Sequence, residues 1–284
     1  MNTDWNIRGK TVFITGATDG IGKEAALELA RRGARIVFTA RSKEKAEALR
    51  VLIAQTGAET RYFLCDLASL SSVKECARKF LKTEGALHVL INNAGIMPRE
   101  RQESKDGIEL TMAVNYFAPV LLTELLLPLL QHSAPSRIIN VASTLHKEGE
   151  IDLDNLQGAG SYDKYRAYAA SKLALVIYTR RLKESLKGSG VTAVAVHPGW
   201  IKTKLALGAL GGSGLAARIL LPLTSMHSPS YGAEPLVRLA TKKEAPGSLY
   251  FERDAEANPS PKTEDAALAA RLWDSTKGIL SPYL

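Results

Sequence analysis

From Thr11 to Gly22 the chain reads TVFITGATDGIG, a short apolar run rich in β-branched residues that ends in a loop with three glycines. Apolar runs of this kind, without polar alternation, are typical of strands buried on both faces of a parallel sheet. Apolar residues at helical spacing follow the loop, at Ile21, Ala25 and Leu29. The stretch therefore predicts a strand, a tight glycine turn and a helix, which together open a βαβ unit.

The same alternation continues along the chain. The predicted strands are Thr11–Thr15, Arg35–Ala40, Thr60–Cys65, Leu87–Asn92, Arg137–Ala142, Val191–His197 and, more weakly, Leu249–Phe251. The predicted helices are Ile21–Arg32, Lys43–Gln55, Ser69–Lys82, Leu110–Leu130, Tyr165–Leu186 and Glu264–Lys277. This order predicts an α/β fold: a single doubly wound parallel sheet of the Rossmann type, with helices on both faces.

One region, residues 198–232, interrupts the alternation and is rich in Gly, Leu and Ala. We expect a mobile apolar insertion that covers the substrate, within one domain spanning residues 1–284. Ordinary core or subunit contacts are the alternative for its apolar side chains. These side chains are Leu205, Leu207, Leu210, Leu215, Ile219, Leu220, Leu221 and Leu223.

The composition is that of an ordinary globular protein. The 284 residues are 45% hydrophobic and 23% charged, which excludes a disordered, collagen-like or coiled-coil chain. The net charge of +8 favours anionic partners, but the basic residues are scattered, so we expect no nucleic-acid binding. Cys65 and Cys76 are the two cysteines; they exclude a disulfide scaffold, suit a reducing compartment and lie at no metal-ligand spacing, so no metal site is expected.

No apolar signal segment opens the chain, which begins MNTDWNIRGK. The longest apolar stretch, Ala118–Leu130, is short for a membrane span and contains Glu124, Pro119 and Pro128. A buried helix is the better interpretation of that stretch, so we expect no transmembrane segment. These features predict a cytoplasmic protein and leave contact with a membrane surface open.

The glycine loop after the first strand is suited to a dinucleotide. Glycines allow a tight turn and a close backbone approach to an anion, and the helix N-terminus offers N–H groups to phosphates. An ordinary turn can also be rich in glycine, but the order strand, turn and helix favours a dinucleotide site. The candidate cofactor-binding residues here are Gly16, Thr18, Asp19, Gly20, Ile21 and Gly22.

The end of the second strand indicates which cofactor is bound. An acidic residue at this place would bind the ribose 2′-hydroxyl of NAD, but the chain reads Thr39-Ala40-Arg41-Ser42. Arg41 could instead make a bidentate contact with a 2′-phosphate, or be a plain surface residue. The missing acid and the arginine together favour NADP(H) over NAD(H).

Ligands of such folds bind outside the carboxyl ends of the strands. Asp66 could meet the adenine or cap the next helix, and Asn93 could line the cofactor or form an Asn turn. Thr203 could contact the nicotinamide amide or cap a short helix. The candidates at these strand ends are Asp66, Leu67, Asn93, Ala94, Gly95, Pro198, Gly199 and Thr203.

Tyr168 and Lys172 lie four residues apart on a predicted helix and so share one face. A nearby ammonium lowers the pKa of a phenol and makes it a usable general acid and base. Ser143 follows the fifth strand and could polarise a carbonyl oxygen, or cap a turn. Asn115 is a poor helix former unless its side chain has a role, while His197 is interpreted as structural.

These motifs, taken together and in order, resemble the short-chain dehydrogenase/reductase family over about Gly9–Thr203. The resemblance implies that Gly16, Gly20 and Gly22 hold the pyrophosphate, that Asp66 meets the adenine and that Asn93 lines the cofactor. It also implies catalytic roles. Tyr168 would exchange the proton, Lys172 would bind the nicotinamide ribose and lower the pKa of Tyr168, Ser143 would polarise the carbonyl, and Asn115 would hold a relay water.

A closer resemblance is to the retinol dehydrogenase-like branch, whose members commonly prefer NADP(H) and act on apolar alcohols or aldehydes. It is carried by GIGKE at 20–24, TAR at 39–41, YAASKLA at 168–174, GSLYF at 247–251 and ARLW at 270–273. The two long predicted helices resemble those that pair subunits into a homodimer or homotetramer. We therefore expect an NADP(H)-dependent oxidoreductase of an apolar carbonyl or alcohol; a non-catalytic NADP(H) sensor on the same fold is the alternative.

Overall fold

The computed structural model describes residues 5–202 and 226–284. Its eight strands form one sheet in the order β3-β2-β1-β4-β5-β6-β7-β8. All neighbouring strands are parallel except β7 and β8. The strands are β1 Thr11–Ile14, β2 Arg35–Ala40, β3 Thr60–Leu64, β4 Val89–Asn92, β5 Ser136–Val141, β6 Val191–His197, β7 Tyr250–Glu252 and β8 Ala255–Glu256.

Helices cover both faces of the sheet. They are α1 Gly20–Arg31, α2 Lys43–Ala54, α3 Leu70–Thr83, α4 Leu110–His132, α5 Lys164–Ser185, α6 Pro229–Thr241 and α7 Ala266–Leu280. Short polar side chains cap several of them and fix where they begin, because a helix N-terminus has unpaired N–H groups. Asp163, for example, accepts a 2.8 Å hydrogen bond from Arg166 N at the start of α5.

The two faces of the sheet have separate apolar cores. Val12 and Ile14 of β1 pack with α1, α2 and α6, whereas Phe13 packs with α3, α4, α5 and α7. Successive side chains of a strand point to opposite faces, so an unbroken apolar run is needed where both faces are covered. The doubly wound Rossmann-type sheet predicted from the sequence is confirmed.

Helix α4 contains a π-helical segment at Ala113–Phe117. In the part of the chain that is described, α4 is the one helix long and apolar enough to cross a membrane by length and composition. Its most apolar window is 72% buried inside the protein, which is the environment of a core helix. The absence of a membrane span stays a prediction.

The C-terminal helix α7 packs on α4 and α5. The hydroxyls of Tyr116 in α4 and Thr276 in α7 lie 2.8 Å apart, and the ring of Trp273 stacks on Tyr178 of α5 at 6.0 Å. The two long helices that we expected to pair subunits therefore have a partner within their own chain along this side. The homodimer or homotetramer stays a prediction.

The insertion expected at 198–232 is shorter than predicted at its C-terminal end, because α6 begins at Pro229 with Ser228 as its cap. Ile201 and His227 form a parallel bridge between the two ends of the segment. The sequence also did not predict α6 or β8. The leucines and the isoleucine of the predicted apolar insertion, from Leu205 to Leu223, lie outside the described residues, as does Thr203.

Candidate active site

Most of the predicted site residues that the structure describes lie along the carboxyl edge of the sheet, in the turns that follow β1, β4, β5 and β6 and at the adjacent start of α5. Arg41 follows β2, Asp66 and Leu67 follow β3, and Asn115 lies within α4. The glycine turn follows β1, and the Asn93 turn follows β4, the strand beside it. Ser143 follows β5, next in the sheet, and Pro198 and Gly199 follow β6. Since β1, β4, β5 and β6 are consecutive neighbours, these turns form one continuous rim.

The glycine turn has no room for side chains at Gly16 and Gly22, because its backbone packs closely against neighbouring backbone. Gly16 has a φ of +65°, and a side chain there would lie 2.9 Å from Ala94 Cα. At Gly22 a Cβ atom would lie 2.5 Å from both Gly16 O and Asn93 Nδ2. A larger residue would push the start of α1 away from the turn. The turn therefore keeps the N-terminal N–H groups of α1 close to the rim, which is the arrangement that binds phosphates.

Asn93 supports the glycine turn. Its Nδ2 donates to Thr15 O at 2.9 Å and to Gly16 O at 3.2 Å, while Thr15 Oγ1 accepts from Asn93 N and Ala94 N. The side chain that was expected to line the cofactor is thus engaged with the loop that would hold it. Thr15 was not predicted as a site residue, and a hydroxyl at the last position before a glycine turn is the signal that could have found it.

Asp19 is the N-cap of α1, and its Oδ1 accepts from Gly20 N at 2.8 Å. Its carboxylate therefore lies where the phosphates would be received. Thr18 is half-buried beside it, and Ile21 packs against the core of the α1 face. The predicted cofactor residues of this loop are brought together, with Asp19 acting first as a cap.

Arg41 follows β2 and is exposed. Its guanidinium has no hydrogen bond or ion pair with any of the residues described, and Ser42 caps α2 directly after it. A planar guanidinium with open donors at the end of β2 is the group that a 2′-phosphate requires. The position fits the predicted choice of cofactor.

Asp66 does not cap helix α3, although capping was one of its two predicted roles. Ser69 is the cap, whereas Asp66 Oδ1 accepts from Ala68 N at 3.1 Å and Oδ2 pairs with Lys105 Nζ at 3.1 Å. The carboxylate thus forms a local turn beside the half-buried Leu67. The capping alternative is wrong because an Asp three positions before the cap cannot reach the first helical N–H groups.

Tyr168 and Ser143 meet at the end of β5. Tyr168 is 8% exposed and Ser143 9%, and the Ser143 side chain lies near enough to lower the pKa of Tyr168. Ser143 Oγ also accepts from Leu145 N at 3.3 Å, so it caps the 3-10 helix Thr144–Glu148. Both residues lie at the carboxyl end of β5, where their hydroxyls could contact one oxygen atom of a substrate.

Lys172 lies one turn after Tyr168 and is 2% exposed. Its Nζ donates to Val141 O at 2.8 Å and lies 5.6 Å from the centre of the Tyr168 ring. No carboxylate is paired with it among the described residues. Burial therefore lowers the pKa of Lys172 to about 8.

The pKa of Tyr168 differs from the expectation. Burial raises it to about 12, and the nearby Ser143 side chain lowers it only in part. The predicted depression of the pKa by Lys172 is therefore not present in the structure, because desolvation disfavours the charged form of each group. Tyr168 is held as a neutral phenol, the form that donates a proton.

Asn115 lies in the π-helical segment of α4. Its Oδ1 accepts from Ile96 N at 2.8 Å, and its Nδ2 donates to Ile96 O at 3.0 Å and to Ser171 Oγ at 3.1 Å. The side chain joins the turn after β4 to helix α5, close to Lys172. Both N–H donors of its amide are engaged with protein, and the relay water expected at Asn115 stays a prediction. π-Helical turns of this kind are frequent at functional sites.

After β6, His197 is 9% exposed, and its Nδ1 has no partner among the residues the structure describes. Burial lowers the pKa of His197 to about 4, so the ring is neutral, in line with a structural role. Pro198 is buried, and Gly199 adopts a φ of +100° that turns the chain along the rim. Sequence reasoning missed His146, whose ring contacts the backbone of Ser143.

The residues present fit a dinucleotide cofactor. A glycine cradle with no room for a Cβ atom at Gly16 or Gly22 lies beside the N-terminus of α1, and the exposed guanidinium of Arg41 directly follows β2. A proton-donating phenol, a hydroxyl and a buried ammonium lie further along the same rim. Such an arrangement can bind phosphates at one end and exchange a proton with an oxygen at the other.

Comparison with known proteins agrees with this geometry. Residues 10–209 match the model of the short chain dehydrogenase family. The chain is 42% identical to retinol dehydrogenase 13 of Mus musculus over 282 residues, covering 96% of this chain and 84% of that protein. It is 39% identical to retinol dehydrogenase 11 of Homo sapiens, covering 96% and 86%.

Solved structures show the same fold. An uncharacterized protein from Mycobacterium paratuberculosis superposes with a TM-score of 0.77 at 31% identity, covering 98% of this chain and 96% of that one. A blue fluorescent protein from a metagenomic library, solved in complex with NADPH, superposes with a TM-score of 0.70 at 29% identity, covering 88% and 98%.

Proposed function

The chain belongs to the short chain dehydrogenase family, in its retinol dehydrogenase-like branch, and is an oxidoreductase of CH–OH groups; we propose that it uses NADP(H) and interconverts an apolar aldehyde or ketone with its alcohol. The observation that carries this proposal is the meeting of Ser143, Tyr168 and Lys172 at the end of β5, on the rim that continues into the glycine cradle.

A bound nicotinamide supplies or accepts the hydride. Ser143 orients the substrate oxygen through its hydroxyl, and Tyr168 donates the proton to that oxygen during reduction. Lys172 is placed to stabilise the phenolate that this transfer leaves behind. In the oxidation direction Tyr168 takes the proton back. Asn93 and Thr15 hold the turn that receives the phosphates.

NADP(H) is favoured by the exposed Arg41 and by the NADPH-bound structural relative. An apolar substrate is supported by the names of the relatives, since retinol is an apolar alcohol. Contacts of Thr203 with the nicotinamide, and of the leucine-rich insertion with the substrate, stay predictions. So do a single domain, a cytoplasmic location and the oligomeric state.

Titration with NADPH and NADH, followed by fluorescence, tests the cofactor. We expect tighter binding of NADPH, and Arg41→Ala should weaken NADPH about tenfold or more while leaving NADH unchanged, because one charge-assisted contact to the 2′-phosphate is lost. Arg78→Ala, which removes a surface arginine paired with Glu75, is the matched control. Preference for NADH would overturn the choice of cofactor.

Turnover tests the activity. The purified protein should reduce apolar aldehydes with NADPH faster than small polar ketones. Equal rates on both would overturn the apolar substrate. NADPH binding without turnover of any carbonyl would favour the non-catalytic sensor instead.

A further inference from the structure

His146 is buried within hydrogen-bonding reach of the candidate catalytic serine, and the proposed mechanism does not use it. The residue is 0% exposed and lies in the 3-10 helix that Ser143 caps. Its Nδ1 is 2.6 Å from Ser143 O, and its Nε2 accepts from Ser260 N at 3.0 Å. Both ring nitrogens are therefore engaged with main-chain groups, one on each side of the ring.

These two contacts determine the tautomer. The N–H of Ser260 can only donate, so Nε2 must be the unprotonated nitrogen. Nδ1 then carries the proton and donates it to the carbonyl of Ser143. A neutral imidazole with this one tautomer satisfies both partners, whereas a protonated ring would place a second N–H against the N–H of Ser260.

The contact of His146 with the Ser143 carbonyl bears on the position of the Ser143 hydroxyl. The carbonyl of Ser143 accepts both from the His146 ring and from His146 N at 3.1 Å. Two donors on one oxygen restrict rotation of the Ser143 peptide. The hydroxyl on the same residue is the candidate catalytic group, and its side chain lies near enough to Tyr168 to lower the pKa of that phenol.

The far side of the ring is anchored by a distant part of the chain. Ser260 precedes the 3-10 helix Pro261–Glu264, where Thr263 Oγ1 donates to Ser260 O at 2.7 Å. Lys262 Nζ donates to Gly149 O at 2.8 Å, at the end of the Ser143 turn. A Cβ atom at Gly149 would lie 2.6 Å from Ala169 O, so this turn sits directly on α5. The segment around Ser260 thus braces the turn at both of its ends.

We infer that His146 is a positioning residue: its neutral imidazole connects Ser260 to the Ser143 carbonyl and holds the Ser143 hydroxyl where it contacts the substrate oxygen. This inference rests on the proposed function. His146 is 0% exposed, so we expect it to act on the rate through Ser143 and not through contact with substrate or cofactor.

Two substitutions separate the contacts of the ring. The amide of Asn lies three bonds from Cα, as Nδ1 does, and the amide of Gln lies four bonds away, as Nε2 does. His146→Asn can therefore keep the donor to Ser143 and lose Ser260, whereas His146→Gln can keep the acceptor for Ser260 and lose Ser143. We expect kcat for carbonyl reduction to stay within about threefold in the Asn variant and to fall about tenfold or more in the Gln variant, since small misplacements of a catalytic group are costly.

The same substitutions are made in a Ser143→Ala background, with NADPH affinity and melting temperature measured for each variant. If His146 acts through Ser143, then His146→Gln should cost no further kcat once Ser143 is Ala, because residues that act as a unit are not additive. NADPH affinity should be unchanged throughout. Normalising kcat to folded protein separates this effect from loss of stability.

Equal kcat in the Asn and Gln variants would overturn the inference, as would a loss from His146→Gln that persists in the Ser143→Ala background. Loss of NADPH affinity in step with kcat would also overturn it, because that would place His146 in support of the cofactor cradle. Absence of turnover in the unaltered protein would instead overturn the proposed function, and this inference with it.

Discussion

The two ends of β5 each hold a buried cation, Arg137 at the amino end and Lys172 against the carboxyl end, and each is 2% exposed. Arg137 Nη1 and Nη2 donate to Leu239 O at 2.6 Å and Lys242 O at 2.5 Å, at the C-terminus of α6. Its guanidinium also lies 4.0 Å from the centre of the Trp5 ring. The contacts of Arg137 therefore join β5 to the C-terminus of α6 and to Trp5, which is a role in the fold.

Lys172 has fewer protein partners. One carbonyl, that of Val141, accepts from its ammonium, which carries three N–H donors. Burial lowers the pKa of both cations, that of Arg137 to about 10 and that of Lys172 to about 8. Arg137, which supports the fold, donates to two carbonyls and contacts an aromatic ring. Lys172, at the candidate active site, donates to one carbonyl among the described residues. The comparison predicts opposite effects when each is removed.

The largest expected effect is that of Tyr168→Phe at the carboxyl end. Loss of the candidate proton donor should lower kcat for carbonyl reduction by about 10²–10⁴-fold, the usual contribution of general acid catalysis. NADPH affinity and melting temperature should change little, since the ring and its packing are kept. A variant with more than half of the original kcat would remove Tyr168 from the mechanism.

Lys172→Met should lose activity and gain stability. The buried ammonium is uncharged only above its lowered pKa, so at pH 7 its burial costs roughly 3 kcal/mol that methionine does not incur. The free energy of unfolding, measured with denaturant, should therefore rise while kcat falls at least tenfold. Lys187→Met, an exposed lysine just beyond the end of α5, is the control and should change neither. A less stable Lys172→Met protein would contradict the comparison.

The gain from Lys172→Met should depend on pH. Because the folded pKa of Lys172 lies near 8, below the unfolded value of 10.5, the unfolded chain binds more protons between these two values. Stability of the unaltered protein therefore rises with pH across this window, relative to the variant. The difference in unfolding free energy should be constant below pH 8 and shrink toward pH 10.5. A difference that stays constant across the window would show that folding does not lower the pKa of Lys172.

Arg137→Met should act in the opposite sense. It leaves the carbonyls of Leu239 and Lys242 without their charged donor, and should lower the free energy of unfolding by roughly 1–2 kcal/mol. kcat and NADPH affinity should stay within about twofold, since the residue lies at the opposite end of the strand. Loss of activity without loss of stability would show that the two ends of β5 are coupled.

Trp5→Phe is the smallest change. Trp5 Nε1 donates to Ala240 O at 2.8 Å, and phenylalanine keeps the ring against Arg137 but removes this donor. Stability should fall by about 1 kcal/mol, the usual value of one buried hydrogen bond. An effect as large as that of Arg137→Met would mean that the hydrogen bond from Trp5 Nε1 to Ala240 O stabilises the amino end of β5 as much as the hydrogen bonds of Arg137 do.

Local patterns were sufficient for most of the fold. The bounds predicted for Arg35–Ala40 and Val191–His197 agree with β2 and β6, because both strands are apolar runs between clear turns. Helix α6 was missed because Gly232 and Pro235 interrupt its helical pattern. Gly232 is required by packing, since a Cβ atom there would lie 2.7 Å from Ile201 Cγ1. The reason for that glycine lies in a residue that is distant in sequence.

In the candidate site, too, some features follow from the sequence and others depend on the folded structure. Spacing along α5 placed Tyr168 and Lys172 on one face, and the order of strands and turns placed Ser143 and the glycine loop at one edge, because these depend on periodicity and short-range turns. Only the tertiary structure brought Ser260 to His146, and only burial set the pKa of Tyr168 above its ordinary value instead of below it. Desolvation and contacts between distant segments depend on what the folded chain packs around a residue, and no local pattern carries that information.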